Sequence, residues 1–220
     1  MSTLVVNAGS TSTKLSVIDR DDATPWSCEV ATGADAIAGA LDDAGSNLDG
    51  VSAVGHRIVH GGQHLVEPVV FGTDVLAEIA DVAELAPLHN AAGIAGVHAA
   101  RARFPDRPQV LCFDTAFHAS MPDAARAYGG PSEWLERGFR RYGFHGLSHE
   151  YATQTAGTLL GRPVDELQIV TCHLGGGCSL AAVDGGRSVD TTMGFTPLDG
   201  LVMTTRSGSV DPGLLLRLLR

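Results

Sequence analysis

The first apolar run, Leu4-Val5-Val6, gives way to the small and polar stretch Asn7 to Thr13 and resumes at Leu15 to Ile18, which predicts a β-hairpin with a glycine and hydroxyl tip. Ile169 to Cys172, His173 to Gly177 and Ser179 to Val183 repeat that order before Asp184-Gly185-Gly186. Laid over each other without a gap, LVVNAGSTSTKLSVID (4–19) and IVTCHLGGGCSLAAVD (169–184) set Leu15 over Leu180 and Asp19 over Asp184, so the chain reads as an internal repeat. Between the hairpins, Asp74 to Leu85 carries apolar residues at 75, 76, 79, 82 and 85, and Asn90 to Phe104 continues with Ile94, Val97 and Phe104 behind Asn90 as a cap. Both spacings predict amphipathic helices. Gln109 to Phe113 reads as a buried strand ending at Asp114, and Ser148 to Leu160 as a helix closed by Gly161. Residues 20–50 read as a short strand, a helix and loops without chemistry. Strands alternating with helices define an α/β class.

Composition narrows the function. At 220 residues and 44% hydrophobic content the chain has material for one large domain or two small ones. Its formal net charge of −10 opposes nucleic acid and anionic membranes, because a phosphate backbone would be repelled. Any phosphate bound here is therefore small and locally cradled. No apolar run approaches the roughly 18 residues needed to cross a bilayer, and the start lacks a signal-peptide pattern, which predicts a cytoplasmic protein. Cys28, Cys112, Cys172 and Cys178 form no CxxC pair, and three of them sit in apolar runs, which predicts buried, inert thiols rather than zinc or disulfides.

The few positions that carry chemistry follow from residue type. In Asn7-Ala8-Gly9-Ser10-Thr11-Ser12-Thr13-Lys14, small residues let backbone N–H groups approach a phosphate, hydroxyls donate further bonds, and Lys14 adds a point charge. An ordinary hydrophilic turn would have the same composition. His173-Leu174-Gly175-Gly176-Gly177 has the same two readings, and two such tips suggest a nucleotide between two lobes. Arg57, in Gly55-His56-Arg57-Ile58-Val59-His60-Gly61-Gly62, offers a planar fork for a carboxylate or phosphate, or for a core acid. His56 and His60 read as structural histidines. Asp114 stands at the carboxyl end of a strand, where open α/β sheets gather ligands, and is either a catalytic acid or a turn former. His145 lies between Gly143 and Gly146 beside two aromatics and could donate to a phosphoryl oxygen. The segment from Asp190 to Gly208 is a dense hydroxyl-rich loop system holding Arg206.

The ordered blocks NAGSTSTK, GHRIVHGG, LAPLHN, FDTAFH, YGFHG, HLGGG, DTTMGFTPLDGL and TRSGSVDP resemble the acetate kinases over nearly the whole chain. That family belongs to the sugar kinase, heat-shock ATPase and actin superfamily, which implies duplicated ribonuclease-H-like lobes, at 1–117 on the substrate side and 118–220 on the nucleotide side, the second incomplete. The resemblance implies reversible phosphoryl transfer between ATP and acetate with Mg²⁺, or Mn²⁺ in its place, and a homodimer. It makes Asn7 a metal contact, Lys14 an ATP-phosphate contact and Arg57 the ligand of the substrate carboxylate. Asp114 becomes the active-site acid, His145 and Arg206 stabilise the transferring phosphoryl group, and His173, Leu174, Gly175, Gly176 and Gly177 form a nucleotide-phosphate loop. Val59, Leu88, Phe144 and Pro197 match positions lining the acetate methyl pocket, and His89 lies in the same cleft. The alternatives are a propionate or butyrate kinase with a roomier pocket and a non-catalytic nucleotide-binding module.

Three departures from the family pattern stand out. Its second tip usually reads HLGNG, so Gly176 removes an amide donor; its last block more often reads GTR than Thr204-Thr205-Arg206; and residues 20–50 are short. Asp211-Pro212 predicts a helix start followed by Leu214, Leu215, Leu216, Leu218 and Leu219, a strongly apolar helix at the end of the chain. From the resemblance, the expectation is that adenine-binding loops and a further metal-contacting glutamate lie in chain that would follow Arg220.

Overall fold

Alternating apolar residues form the strands of the first unit, Met1–Phe113. The computed structural model describes residues 1–9, 12–82 and 87–220, and the side chains of these except residues 73, 80, 81 and 87–89. In chain order the unit holds β1 (Ser2–Ala8), β2 (Ser12–Ile18), β3 (Trp26–Ala31), α1 (Ala34–Asp43), a 3-10 turn at Gly45–Leu48, β4 (Val51–Ile58), β5 (Val69–Val70), α2 (Thr73–Asp81), α3 (Pro87–Arg103) and β6 (Gln109–Phe113). The sheet runs β3-β2-β1-β4-β6-β5, with β1 to β3 an antiparallel meander and β4 and β6 parallel to β1 and to each other. Leu4, Val6, Leu15, Val17 and Val54 share one face and pack with Ile37 and Leu41 of α1 and with Ala99, Ala100 and Phe104 at the end of α3. Each fully buried Leu, Ile or Val contributes about 1.5–3 kcal/mol relative to exposure. The opposite face is thereby left for polar residues.

The predicted elements are found with shifted ends. The strands of the first hairpin run to Ala8 and resume at Ser12, closer to the tip than expected, with Asn7 paired to Lys14 and Ala8 to Thr13. The second predicted helix begins at Pro87, because Asn90 does not cap it. Asn90 is fully buried inside α3 and spends its amide on the His60 backbone: Oδ1 accepts from the His60 N–H at 3.1 Å and Nδ2 donates to the His60 carbonyl at 3.0 Å. Residues 83–86, the end of the first predicted helix, lie outside the described residues.

The second unit, Asp114–Arg220, takes Asp114 to Phe117 with it, since the Asp114 carbonyl accepts from the Gly146 N–H at 2.8 Å. It contains a 3-10 turn at Phe117–Ser120, α4 (Asp123–Arg126), α5 (Glu133–Glu136), α6 (Gly146–Leu160), a second 3-10 turn at Val164–Glu166, β7 (Gln168–Leu174), β8 (Cys178–Asp184), β9 (Arg187–Thr191) and α7 (Pro212–Leu218). β7, β8 and β9 form an antiparallel meander, the counterpart of β1 to β3. Gly185 and Gly186 make the two-residue turn into β9 with φ of 57° and 78°, a conformation that favours glycine at both positions. The end of β9, Asp190 and Thr191, falls in the segment expected as a loop system. Gly161 closes α6 in the left-handed region, and Asp211 caps α7 by accepting from Gly213 N–H at 2.7 Å, both as expected.

The repeat holds, but its ungapped register does not. Ala8 pairs with Thr13 in the first hairpin, whereas His173 pairs with Ser179 in the second, so the second tip is one residue longer. Leu15 therefore corresponds to Ala181 rather than Leu180, and Asp19 has no match in Asp184. Burial agrees: Thr13, Leu15 and Val17 face inward in β2, and Ser179, Ala181 and Val183 in β8. A shift of one residue turns every side chain to the other face.

The thiols also differ from expectation. Cys172 is exposed and Cys28, Cys112 and Cys178 are half-buried, with no disulfide among them. Cys172 alternates with the inward-facing Thr171, so strand parity, not hydrophobicity, sets its exposure.

Candidate functional site

Register places the first group of predicted residues. Asn7 on β1 pairs with Lys14 on β2 and with Arg57 on β4, and Lys14 pairs with Glu29 on β3. Their neighbours in sequence, Val6, Ala8, Thr13, Leu15, His56 and Ile58, are buried. Glu29, Lys14, Asn7 and Arg57 thus form one row on the sheet face away from α1 and α3. Adjacent strands are about 5 Å apart, so Lys14 and Arg57 are rooted roughly 10 Å apart on either side of Asn7. Arg57 Nη1 donates to Asn7 Oδ1 at 3.1 Å, which holds the guanidinium along the row. This is a polar and charged stripe built on adjacent strands.

Among the described hydroxyls of the first tip, those of Ser12 and Thr13 offer less than expected. Thr13 is fully buried on the core face and its Oγ1 has no hydrogen-bond partner, while Ser12 Oγ donates to Glu29 Oε1 at 2.6 Å. Ser10 and Thr11 lie outside the described residues, and so do the side chains of Leu88 and His89. Gly9 closes the tip through a 2.8 Å bond from its N–H to the Ser12 carbonyl. Val59 is buried just beyond Arg57.

His56 and His60 serve the fold. His56 bonds Gln109 Oε1 through Nε2 at 2.8 Å, and since that oxygen only accepts, Nε2 carries the proton. Burial lowers its pKa. His60 Nδ1 accepts from the Gly62 N–H at 2.9 Å.

In the second unit the predicted residues gather around the second tip. His145 is the N-cap of α6 and sits in the left-handed region at φ 60°, a conformation that costs a non-glycine residue about 1–3 kcal/mol. Its ring stacks on His173 with centroids 4.0 Å apart and planes 22° from parallel. A Cβ built on Gly177 would lie 3.2 Å from both Cε1 and Nε2 of His145, so the glycine tip lies directly against that edge of the ring. His173 Nδ1 bonds Ser148 Oγ at 2.9 Å, and Leu174 is exposed. Gly175 N–H donates to Gly177 O at 3.0 Å, and the Gly176 carbonyl accepts from Thr204 N–H at 3.3 Å, joining the tip to the loop that carries Arg206.

Arg206 donates through Nη1 to the Pro197 carbonyl at 3.2 Å, so Pro197 aims the arginine through its backbone. That loop is pinned further by residues the motifs did not single out. Arg141 Nη1 donates to the carbonyls of Thr192 and Met193 at 3.1 and 3.0 Å and lies 3.8 Å from Asp199 Oδ2. The Tyr128 hydroxyl accepts from the Phe195 N–H at 2.7 Å.

Asp114 is 1% exposed, directly after β6. Phe144 is buried, and its carbonyl accepts at 3.0 Å from Nε2 of His118, whose Nδ1 meets Ser188 Oγ at 2.8 Å. Burial, opposed by the Phe144 bond and the Asp114 charge, brings the His118 pKa down to about 4.

Beneath His145 lies a polar layer that sequence reading missed. Ser179 Oγ is 2.9 Å from His145 Nδ1 and 2.8 Å from His149 Nε2, and His149 Nδ1 is 2.8 Å from Thr171 Oγ1. All three supporting side chains are buried. The available signal was Thr171 and Ser179 at inward positions of two strands, with His149 one helical turn after His145.

Known acetate and propionate kinases resemble this chain. The acetate kinase of Trichormus variabilis is 55% identical over 173 residues, 79% of this chain, and that of Bacillus cytotoxicus 53% identical over 170 residues, 77% of it. In each case the match spans 43% of the relative's length, so the chain corresponds to less than half of these curated relatives. Among solved structures, a propionate kinase from Francisella tularensis superposes with a TM-score of 0.92 at 36% identity, and the Porphyromonas gingivalis acetate kinase with 0.85 at 34%. Each covers 99% of this chain and 63% of its own. These structures share the duplicated α/β architecture seen here, and the model of the acetokinase family matches residues 28–220, so the chain belongs to the acetokinase family.

Proposed function

We propose that this chain supplies the carboxylate-binding and phosphoryl-stabilising side chains of an acetate kinase, which transfers a phosphoryl group reversibly between ATP and acetate. The observation that carries the reading is the row in which Lys14 and Arg57 flank Asn7 in strand register. Phosphoryl transfer through a loose transition state is catalysed by positioning and charge neutralisation. Acetate is already ionised at pH 7, with a pKa of roughly 4–5 like that of a free carboxylic side chain, so no base is needed to generate the nucleophile. Arg57 binds the carboxylate, Lys14 an ATP phosphate, and His145 and Arg206 the transferring group, while the backbone of His173 to Gly177 cradles the nucleotide phosphates. Asp114, buried beside the α6 start, serves to orient an arginine rather than to abstract a proton. By the family pattern, Val59, Phe144 and Pro197 are the positions assigned to the methyl end of the substrate.

A magnesium ion is implied by the family, with manganese as a substitute. The ion would be held mainly by phosphates and water, with one or two protein oxygens. Asn7 Oδ1 accepts from a guanidinium, which does not fit a metal ligand in this arrangement. Among the described residues no cluster of three His, Cys, Asp or Glu side chains is arranged for a metal. The family also supports a cytoplasmic homodimer, and no helix of the described residues is long and apolar enough to cross a membrane. Sedimentation of the intact protein tests the dimer.

The activity is tested by trapping acetyl phosphate as its hydroxamate in the intact protein. Arg57→Ala is expected to raise the acetate KM and lower kcat, with a combined loss of about 1.5–3 kcal/mol, and wild-type kinetics would refute the assignment. The similarity to a propionate kinase supports a second reading in which the pocket accepts a longer acid. Relative rates on acetate, propionate and butyrate decide between them.

A further inference from the structure

We infer that Thr171, His149 and Ser179 form a hydroxyl and imidazole chain that holds His145 with its proton on Nε2, so that this ring presents a donor rather than a lone pair to the group it meets at the glycine tip. The meaning for catalysis rests on the proposed role of His145, but the proton assignment does not.

The assignment follows from counting hydrogens along one line of contacts. Thr171 Oγ1, His149 Nδ1, His149 Nε2, Ser179 Oγ and His145 Nδ1 are joined at 2.8, 2.8 and 2.9 Å. Each hydroxyl has one proton to give, and each neutral imidazole has one N–H and one lone pair. Among the described residues, His149 Nδ1 is the hydrogen-bond partner found for the Thr171 hydroxyl, at 2.8 Å. If Thr171 donates there, His149 carries its proton on Nε2 and gives it to Ser179 Oγ, and the Ser179 proton is left for His145 Nδ1. Neutral His145 then bears its proton on Nε2. The reverse pattern puts N–H groups on His149 Nδ1 and His145 Nδ1 and leaves the Thr171 hydroxyl proton without an acceptor in a buried layer. A third pattern, with both rings donating to Ser179, strands the Ser179 proton at a fully buried position. An unmade buried bond costs about 1–3 kcal/mol, enough to select the first pattern.

Two further observations support it. His149 is neutral, because burial and the neighbouring His118 and His173 bring its pKa down to about 4. The His145 ring has its orientation fixed, since stacking on His173 and contact of its Cε1–Nε2 edge with Gly177 leave Nδ1 pointing at Ser179. Ser179 and His149 are therefore positioning residues that act through His145.

Nitrogen-15 spectra of the intact protein labelled at histidine report the tautomer of each ring directly. The wild type is expected to show His145 protonated on Nε2, and a ring protonated on Nδ1 would overturn the inference. Ser179→Ala should release the preference and bring Nδ1-protonated His145 into the spectrum; an unchanged tautomer would overturn it. His149→Gln, whose amide can still donate to Ser179, should keep the wild-type tautomer, and it serves if Ser179→Ala does not fold. In steady-state assays Ser179→Ala should lower kcat about 10- to 100-fold with both KM values nearly unchanged. A switched tautomer with unchanged kcat would leave the hydrogen-bond chain standing and remove His145 from the phosphoryl group.

Discussion

Asn7 and Arg57 stand side by side on parallel strands, and the Asn7 amide oxygen accepts from the Arg57 guanidinium at 3.1 Å. The same asparagine can be read as a metal contact or as the support of an arginine, and the two roles predict opposite orders of substitution. As a support, Asn7→Ala loosens Arg57 and raises the carboxylate KM several-fold. Asn7→Asp is worse, because a carboxylate beside Arg57 competes with the substrate for the same fork. A metal contact would instead be improved by the harder, charged oxygen of Asp relative to Ala. Steady-state kinetics of the two variants, at saturating metal, give the order.

Gly146 opens α6 where that helix meets the chain after β6. A Cβ there would fall 2.2 Å from the Asp114 carbonyl oxygen, which is backbone and cannot rotate aside. Gly146→Ala must displace either Asp114 or the helix start that carries His145, and should destabilise the protein by about 1–3 kcal/mol and depress kcat. Gly39, exposed in α1 with open space around its Cβ direction, is the control. Gly39→Ala should stabilise by roughly 0.5–1 kcal/mol, so equal effects in chemical denaturation would contradict the close contact at Gly146.

His118 and His149 lie with ring centroids 5.5 Å apart, both 1% exposed and both held near pKa 4 by burial. Asp114 and the Phe144 carbonyl act on His118, and His118 and His173 act on His149. In the unfolded chain a histidine titrates near 6.5, so between about pH 6.5 and 4 the unfolded state binds more protons than the native state. Stability contributed by the neutral rings is therefore full above pH 6.5 and falls as pH drops toward 4. The slope reaches about 1.4 kcal/mol per pH unit for each ring. Urea unfolding at pH 7.5 and 5.5 should differ accordingly, and His118→Gln should shrink the difference. Equal midpoints at both pH values for wild type would show that these rings are not buried neutral.

The parts legible in the sequence were those set by local alternation and turn chemistry. β6 was read over Gln109–Phe113 and found there, since a short apolar run before an acid has few alternatives. Gly161 ended its helix for the same local reason. What failed depended on partners distant in the chain. Asn90 looked like a cap because its type suits one, yet the His60 backbone, 30 residues away, takes its amide. The repeat was visible, but the extra residue in the second tip was not, because Leu180 and Ala181 are both apolar and only strand pairing shows which faces inward. The candidate residues themselves stood out as charged or ring side chains among glycines. Ser179, Thr171 and His149 did not, because hydroxyls at inward strand positions look unremarkable until the helix that covers them is in place.

Gly176 offers a direct test of the second tip. The residue has no neighbour within 4 Å of its Cβ direction, and its φ is not in the left-handed region, so the backbone accepts a side chain there. Its carbonyl already bonds Thr204 N–H, which anchors the position while leaving the side chain free to project. Gly176→Asn would restore the amide that acetate kinases usually carry at this place and add one donor beside the proposed phosphate cradle. One such bond contributes about 0.5–1.5 kcal/mol, so ATP should bind roughly 2- to 10-fold more tightly in a calorimetric titration. Gly177→Asn is the contrasting change, because its Cβ would meet the His145 ring at 3.2 Å and push the ring from Ser179. It should lower turnover without gaining affinity. If Gly176→Asn leaves ATP affinity unchanged or weaker while the protein stays folded, the second tip is not where the nucleotide phosphates bind.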